Sequence, residues 1–237
     1  MTPSRSRWRA YLLLSRVSNL PTVWSNVLAG GVLADTAVHW PVFARVALGV
    51  SLLYTSGMFL NDAFDYESDT AARPDRPLPA GDVSVLAAFV VGFVLLAVGE
   101  LIVASQGGIT GPWAWGAALC VAIVYYNVRH KRDLFGPLVM GVCRGLVYCV
   151  AASAVAPALK PAVFVAAVVM TAYVLSLTFV AKKLGPQAGV VIPLLIAGIS
   201  VVDAVVIGLA GGGVELMVAA IAAGVLTLAL QRIVPGT

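Results

Sequence analysis

The chain has 237 residues, of which 60% are hydrophobic and only 11% are charged, and its mean hydropathy is +0.97. No soluble domain of this length buries so much apolar surface, so a soluble globular protein is excluded. The apolar segments are continuous runs and do not alternate with polar residues, which favours membrane-spanning helices over a β-barrel. The net charge of +4 is spread between these runs, so nucleic acid is not expected as a partner.

Eight apolar runs predict an all-α, polytopic transmembrane helical bundle. They cover residues 12–34, 42–64, 83–104, 112–127, 137–156, 162–181, 190–210 and 214–231. The fourth run is short, since a helix needs about 20 residues to cross a bilayer. The last two runs are rich in Gly, Ala and Val, and small residues let helices pack closely. Because no low-complexity linker divides the chain, we expect a single domain over residues 1–237.

The positions of Lys and Arg predict the orientation of the bundle in the membrane. Twelve of the fifteen basic residues lie on the side of the N-terminus. The opposite side has only Lys160, while Arg45 lies near the end of a run and Arg144 lies inside one. Both termini are therefore predicted to be cytoplasmic, which agrees with an even number of spans. The basic start continues into an apolar run too long for a signal peptide, so no cleaved leader is expected.

The first apolar run contains polar residues as well. Arg16 lies near its start, and Asn26 lies about two turns into the helix from the cytoplasmic side. An asparagine inside an apolar helix needs a hydrogen-bonding partner. The residues leave two alternatives for Asn26, which are a hydrogen bond to another helix and a contact with a ligand.

Three aspartates lie at the end of the second apolar run and just after it. If its helix continues that far, Asp62, Asp65 and Asp69 fall within a stripe roughly 60° wide and about 10 Å long. Glu67 points elsewhere, and Asn61 lies at the edge of the stripe. Carboxylates on one face repel one another, so this arrangement predicts a counter-ion.

The chemistry of this stripe indicates a metal ion and a phosphate group. Carboxylates that share a metal with water and phosphate oxygens are typical of Mg²⁺ sites. Arg73 and Arg76 follow in a proline-rich segment and supply donors suited to phosphate. Carboxylates, metal and arginines at a membrane edge therefore predict a diphosphate ligand. The alternative is a solvated, charged helix end that binds nothing.

Residues 61–69 read Asn-Asp-x-x-Asp-x-x-x-Asp, and residues 73–81 read Arg-Pro-Asp-Arg-Pro-Leu-Pro-Ala-Gly. Together they resemble the first aspartate-rich motif of the UbiA superfamily of intramembrane prenyltransferases. The resemblance implies a UbiA-like helical bundle that binds an isoprenyl diphosphate. It also implies that Mg²⁺ is held by Asp62, Asp65 and Asp69.

Residues 18–30 resemble the first helix of the same family. In that family the asparagine of this helix contacts the diphosphate–metal site, so the resemblance implies a substrate-binding role for Asn26. The motif also implies substrate-binding roles for Asn61 and Arg73.

The end of the fourth run, residues 125–132, resembles the family's tyrosine and basic pair at the second cytoplasmic loop. A tyrosine at the edge of the cavity stabilises developing allylic cation character, and basic residues hold diphosphate. The resemblance assigns a catalytic role to Tyr125, and binding roles to Tyr126, Lys131 and Arg132. An aromatic belt followed by a positive-inside loop is an equally weighted alternative.

Three ionisable residues lie inside apolar runs, namely Arg144 in the fifth, Asp203 in the seventh and Glu100 near the end of the third. A cation at that depth is costly unless it is paired or faces a polar cavity. Arg144 can meet the aspartates, the diphosphate or an intramembrane acid such as Asp203. We assign Arg144 to substrate binding.

The chain departs from the family after the sixth run. Most members carry a second aspartate-rich motif there, whereas residues 177–189 contain no acid. The chain also has one span fewer than the usual nine. Lys182 and Lys183 lie in this stretch and can neutralise diphosphate as point charges, which gives Lys182 a catalytic and Lys183 a binding role. The alternative is a site that binds an isoprenoid diphosphate weakly or does different work. The first helix and the missing motif resemble a divergent branch encoded in small biosynthetic gene clusters of the Ebo type.

These features predict an integral-membrane prenyltransferase. Metal and cations stabilise the departing diphosphate as the allylic C–O bond ionises, and a small acceptor captures the allylic cation. The predicted catalytic residues are Asp62, Asp65, Asp69, Arg76, Tyr125 and Lys182. The predicted partners are isoprenyl diphosphate, an acceptor of unspecified type and the lipid bilayer. The alternative is a non-enzymatic transporter or lipid-binding protein that uses Arg144, Asp203 and Glu100 as a polar pathway.

Overall fold

The computed structural model describes residues 6–107, 111–129, 135–184 and 188–236, and within these ranges every regular element is helical. The described α-helices are α1 (Arg7–Ser15), α2 (Leu20–Ala34), α3 (Trp40–Phe64), α4 (Tyr66–Ala72), α5 (Val85–Ala104), α6 (Pro112–Arg129), α7 (Gly136–Val155), α8 (Pro161–Leu184), α9 (Ala188–Leu209) and α10 (Val214–Gln231). A short 3₁₀ turn, Val17–Asn19, joins α1 to α2.

Among the described helices, six are long and apolar enough to cross a membrane, namely α3, α5, α7, α8, α9 and α10. The other two predicted runs correspond to α2, with 15 residues, and α6, with 18 residues. The prediction of an all-α, polytopic helical bundle is confirmed. Of the eight predicted spans, six meet this length and hydropathy among the described residues, and the helices of the other two, α2 and α6, do not.

The first predicted run, residues 12–34, is not one helix. α1 ends at Ser15, and Arg16 adopts a left-handed backbone conformation with φ of 45°. A left-handed conformation costs energy for any residue with a side chain, so this break is held by contacts around it. Pro21 stands in the first turn of α2, where its missing N–H is not needed. The run therefore contains a short helix at one end of the bundle and a separate inner helix.

α2 lies in the middle of the bundle and packs against α3, α7, α9 and α10. Its contact with α7 is close at Gly30, where a Cβ atom would lie 2.8 Å from Cβ of Ala151 and 2.9 Å from Cα of Tyr148. Only glycine fits such a gap. The contact brings Asn26, one turn away on α2, beside α7.

We expect Gly30→Val to destabilise the protein by about 1–3 kcal/mol, because the new side chain meets the backbone of α7 rather than a movable side chain. The thermal unfolding of the purified protein in detergent measures this loss. Gly31→Ala is the matched control, since its Cβ atom would meet only Val155, at 4.0 Å. Equal melting temperatures for the two variants would contradict the close packing of α2 on α7.

A small apolar cluster fixes the proline-rich segment that follows α4. It contains Ala10, Leu14, Phe59, Ala63, Leu78, Val83 and Ala88. Leu78 and Val83 belong to the segment and are only 3% and 6% exposed. Gly81 turns the chain with φ of 79°, a value that glycine adopts without strain. The segment is thereby anchored against α1, α3 and α5, with Arg76 close to the end of α3.

The residues that end α10 and follow it meet the start of α2 at one end of the bundle. The Asn19 side chain, just before α2, donates to the carbonyl of Gly236 at 3.0 Å. The Gln231 side chain, at the end of α10, donates to Oδ1 of Asn19 at 2.7 Å. Arg16 and Asp62 also meet there, so we call this end of the bundle the aspartate end.

Candidate functional site

The aspartates lie on a helical segment that is interrupted once. α3 ends at Phe64, Asp65 caps it, and α4 begins at Tyr66. Backbone hydrogen bonds of 2.9 Å from Asp65 N–H to the Asn61 carbonyl and from Asp69 N–H to the Asp65 carbonyl keep the four-residue spacing across the break. The assumption of a continuous helix to Asp69 is therefore wrong at Asp65, although the spacing that aligns the aspartates is retained.

The three aspartates share one buried side of this segment. Asp62, Asp65 and Asp69 are 7%, 9% and 7% exposed, whereas Glu67 is exposed. This is the division that the helical spacing predicted. Their role as metal ligands stays a prediction, because burial alone does not identify a ligand.

Two arginines form ion pairs with two of these carboxylates. Nη2 of Arg16 donates to Oδ1 of Asp62 at 3.1 Å. Nη1 of Arg76 donates to the same oxygen at 3.2 Å and to Oδ2 of Asp69 at 2.7 Å. Both guanidinium groups are mostly buried, at 17% and 19% exposed, so these ion pairs are less screened than surface pairs. Arginine thus supplies counter-charge to the aspartate stripe.

Arg16 is the residue of this site to which sequence reasoning gave no role. Its interruption of an apolar run is the available signal, since a cation there needs a partner. The left-handed break at Arg16 ends α1 and starts the turn that leads into α2. Its side chain also contacts Sδ of Met58, one turn before Asp62 on α3. The break therefore directs the guanidinium onto α3.

The donor set of the stripe fits a hard divalent cation, because carboxylate oxygens are the ligands that Mg²⁺ prefers. As the side chains are placed, however, no three acidic, histidine or cysteine residues of the described ranges converge closely enough to hold a metal. Arg76 lies between Asp62 and Asp69 and bonds to both. Metal coordination by all three aspartates therefore requires their side chains to rearrange, including the two that Arg76 bonds.

The two tyrosines near the end of α6 face different surroundings. Tyr126 lies within electrostatic range of Asp65 and Arg16, on the inner side of the helix. Tyr125 is 42% exposed and lines an outer, largely apolar groove that also includes Leu96 and Val121. The placement favours Tyr126 over Tyr125 for the predicted position at the edge of the aspartate site.

The remaining predicted phosphate ligands are not gathered at the carboxylates in the described structure. Arg73 is exposed, and Lys182 and Lys183 are exposed in the last turn of α8. Lys131 and Arg132 lie outside the described residues. Asn61 is half-buried next to the aspartates and accepts the backbone bond from Asp65. Their binding roles stay predictions.

A second polar cluster lies inside the bundle, around the fully buried Asp203 of α9. Its carboxylate accepts hydrogen bonds from Oγ of Ser25 at 2.6 Å, Nδ2 of Asn26 at 2.7 Å and the hydroxyl of Tyr148 at 2.6 Å. Three different helices, α2, α7 and α9, meet at this carboxylate. Asn26 thus makes the interhelical hydrogen bond that was one of its two predicted alternatives, and its contact with a ligand stays a prediction.

Arg144 of α7 extends this cluster towards the aspartate end. Its Nη1 donates to Oδ1 of Asn26 at 2.9 Å, and its Nη2 donates to Oγ1 of Thr22 at 3.1 Å. The guanidinium also lies over the ring of Tyr54, 5.5 Å from its centre. Arg144 and Asp203 are therefore joined through the amide of Asn26, and the described structure records no direct ion pair between them.

Glu100 does not join this cluster. It lies on α5, which packs mainly against α3 and α6, and it accepts a hydrogen bond from Sγ of Cys120 at 3.7 Å. Asp203 lies on α9, which packs against α2, α8 and α10. The polar pathway required by the transporter alternative is thus not assembled from these three residues.

The profile of the UbiA prenyltransferase family matches residues 20–183, which is more than half of the chain. The chain belongs to the UbiA prenyltransferase family. With its six long apolar helices, this UbiA-family chain is an integral membrane protein.

Curated relatives include digeranylgeranylglyceryl phosphate synthase of Sulfolobus acidocaldarius, which is 35% identical over 53% of this chain and 45% of the relative. 4-Hydroxybenzoate octaprenyltransferase of Pectobacterium atrosepticum is 33% identical over 54% of this chain and 46% of the relative. The chain thus spans about half the length of the curated relatives it matches.

Solved structures show the same fold. A UbiA homologue from Archaeoglobus fulgidus bound to GPP and Mg²⁺ superposes with a TM-score of 0.63 at 15% identity, over 94% of this chain and 86% of the homologue. A structure of digeranylgeranylglyceryl phosphate synthase gives 0.60 at 19% identity, over 97% and 88% of the two chains. The predicted UbiA-like bundle is confirmed.

Proposed function

We propose that this chain transfers an isoprenoid group from an isoprenyl diphosphate to a small acceptor within the membrane, with Mg²⁺ as its cofactor. The observation that carries the proposal is the set of three buried aspartates at one end of a UbiA-family bundle, two of which are bonded by Arg16 and Arg76. Relatives that are named prenyltransferases support the reaction class.

In this proposal the aspartate end is cytoplasmic, as the distribution of basic residues predicts. Asp62, Asp65 and Asp69 would hold Mg²⁺ once Arg76 turns from the carboxylates to the diphosphate. When bound, the metal supplies Lewis-acid stabilisation of negative charge on the diphosphate oxygens. Arg16 and Arg76 add charge-assisted hydrogen bonds to the same group.

The isoprenoid chain has an apolar environment among the helices below the aspartates. The diphosphate leaves as the allylic C–O bond breaks, and the cations at the aspartate end stabilise the charge that develops on it. Tyr126 lies at the boundary between this polar end and the apolar helices, where its ring can stabilise the allylic cation. The helices exclude water, so the acceptor and not water captures the cation.

Thermal unfolding of the purified protein with geranylgeranyl diphosphate tests the proposal. A ligand that binds only the folded protein raises the melting temperature, so we expect a rise of several degrees with Mg²⁺ and little or none with a chelator. The Asp65→Asn variant should lose the rise.

Glu67→Gln is the matched control, because it removes an exposed carboxylate two residues from Asp65. It should retain the full rise. A wild-type protein that shows no Mg²⁺-dependent rise with isoprenyl diphosphates of several chain lengths would contradict the proposed function.

A further inference from the structure

Asp203 has no contact with the aspartate stripe and lies beyond residues 20–183, the part of the chain that matches the family profile. It is nonetheless fully buried in the bundle and accepts three short hydrogen bonds. A buried carboxylate is costly unless it is paired or hydrogen-bonded. An ionisable residue in the membrane interior commonly marks a functional site. Its contacts lead to one cation, which is Arg144.

The connection runs through the side-chain amide of Asn26. An amide has one donor end and one acceptor end. Because the NH₂ group of Asn26 donates to Asp203 at 2.7 Å, its carbonyl oxygen faces Arg144 and accepts at 2.9 Å. The Asp203 carboxylate thus fixes the orientation of the Asn26 amide, with its carbonyl oxygen towards Arg144. A reversed amide would place its NH₂ group next to the guanidinium group, and two donors cannot bond to each other.

The same arrangement leaves Arg144 able to bind an anion. Its two recorded acceptors, Asn26 and Thr22, are neutral, and a guanidinium has five N–H donors. The group stacks on Tyr54, which precedes Asp62 on α3 by about two turns. Arg144 is only partly buried, and its hydrogen bond to Thr22, one turn before Asn26 on α2, places it on the side of the amide that faces the aspartate end. Asp203 supplies compensating charge without occupying those donors directly.

We propose that Asp203 is a positioning residue, which through Asn26 holds Arg144 in place to bind the anionic group of the substrate below the aspartate stripe. This inference rests on the proposed function. The carboxylate itself does not touch the substrate. Its contribution is the fixed orientation of the amide and the compensation of the arginine charge before substrate binds.

A double-mutant cycle tests this coupling. The dissociation constant for geranylgeranyl diphosphate with Mg²⁺ is measured for the wild type, Asp203→Asn, Arg144→Gln and the double variant. We expect each single variant to bind about tenfold more weakly, because Asp203→Asn lets the Asn26 amide reverse and Arg144→Gln removes the cation. The double variant should bind within about twofold of Arg144→Gln, since the two residues act through one path.

The dissociation constants are measured on folded protein, which separates a positioning role from a merely structural one. A merely structural role of Asp203 would lower the melting temperature in the wild type and in Arg144→Gln alike, without non-additive effects on the dissociation constant. Ser200→Ala is the control, because Ser200 contacts Ser25 in the same cluster and does not bond to Asn26. It should bind as the wild type does. If Asp203→Asn does not fold, Asn26→Ala interrupts the same path from α2 and should show the same coupling to Arg144→Gln.

Two results overturn the proposal. The first is wild-type affinity in Asp203→Asn, and the second is a double variant weakened by the product of the two single effects. A wild-type protein that does not bind the probe with Mg²⁺ overturns the proposed function and this inference together. Normal wild-type binding with independent single effects overturns the inference alone.

Discussion

Asp62→Asn is expected to lower prenyl transfer at least about 100-fold while leaving the protein folded. The substitution keeps the shape of the side chain and removes its negative charge. Oδ1 of that carboxylate accepts hydrogen bonds from both Arg16 and Arg76. If that carboxylate holds the metal that stabilises the departing diphosphate, its loss raises the activation free energy by several kcal/mol. Each 1.4 kcal/mol slows the reaction about tenfold. Release of diphosphate from geranylgeranyl diphosphate, in membranes that supply the acceptor, measures the effect.

The melting temperature separates this loss from unfolding. Asp62→Asn removes one of three like charges on one face, and Arg76 keeps its bond to Asp69, so we expect a change of only a few degrees. Glu67→Gln removes an exposed carboxylate of the same segment and should keep its activity within about twofold. Equal losses in the two variants would mean that net charge, and not the buried stripe, governs the reaction.

The aspartate stripe could be predicted from the sequence because its geometry is local. Helical spacing alone places Asp62, Asp65 and Asp69 on one side, and the structure buries these three while exposing Glu67. Even so, the break at Asp65 was not predicted. A one-residue interruption that keeps the four-residue hydrogen bonds leaves no trace in the apolar pattern.

Contacts between distant helices could not be predicted in the same way. The sequence placed Arg144 and Asp203 inside the membrane, but only the packing of α2 between α7 and α9 puts the Asn26 amide between them. Arg16 was read as part of an apolar run because a left-handed residue has no signature in hydropathy. The choice of Tyr126 over Tyr125 likewise depends on how α6 is rotated about its axis.

Arg76 forms ion pairs with two of the three aspartates. In the structure its Nη1 atom joins Asp62 to Asp69, so it would compete with a metal ion that binds the same carboxylates. In the proposed function it later binds the diphosphate. Arg76→Gln should therefore change two affinities in opposite directions.

Without ligand, Arg76→Gln leaves mutually repelling carboxylates with one fewer counter-ion, and we expect the protein to bind Mg²⁺ about tenfold more tightly. With saturating Mg²⁺, the same variant lacks a charge-assisted donor, and we expect geranylgeranyl diphosphate to bind about tenfold more weakly. Calorimetric titration of Mg²⁺ without ligand, followed by titration of the diphosphate, measures both. Arg129→Gln removes an equal charge from the exposed end of α6 and should change neither affinity more than about twofold. Two affinities that rise or fall together in Arg76→Gln would show that Arg76 does not exchange between carboxylates and diphosphate.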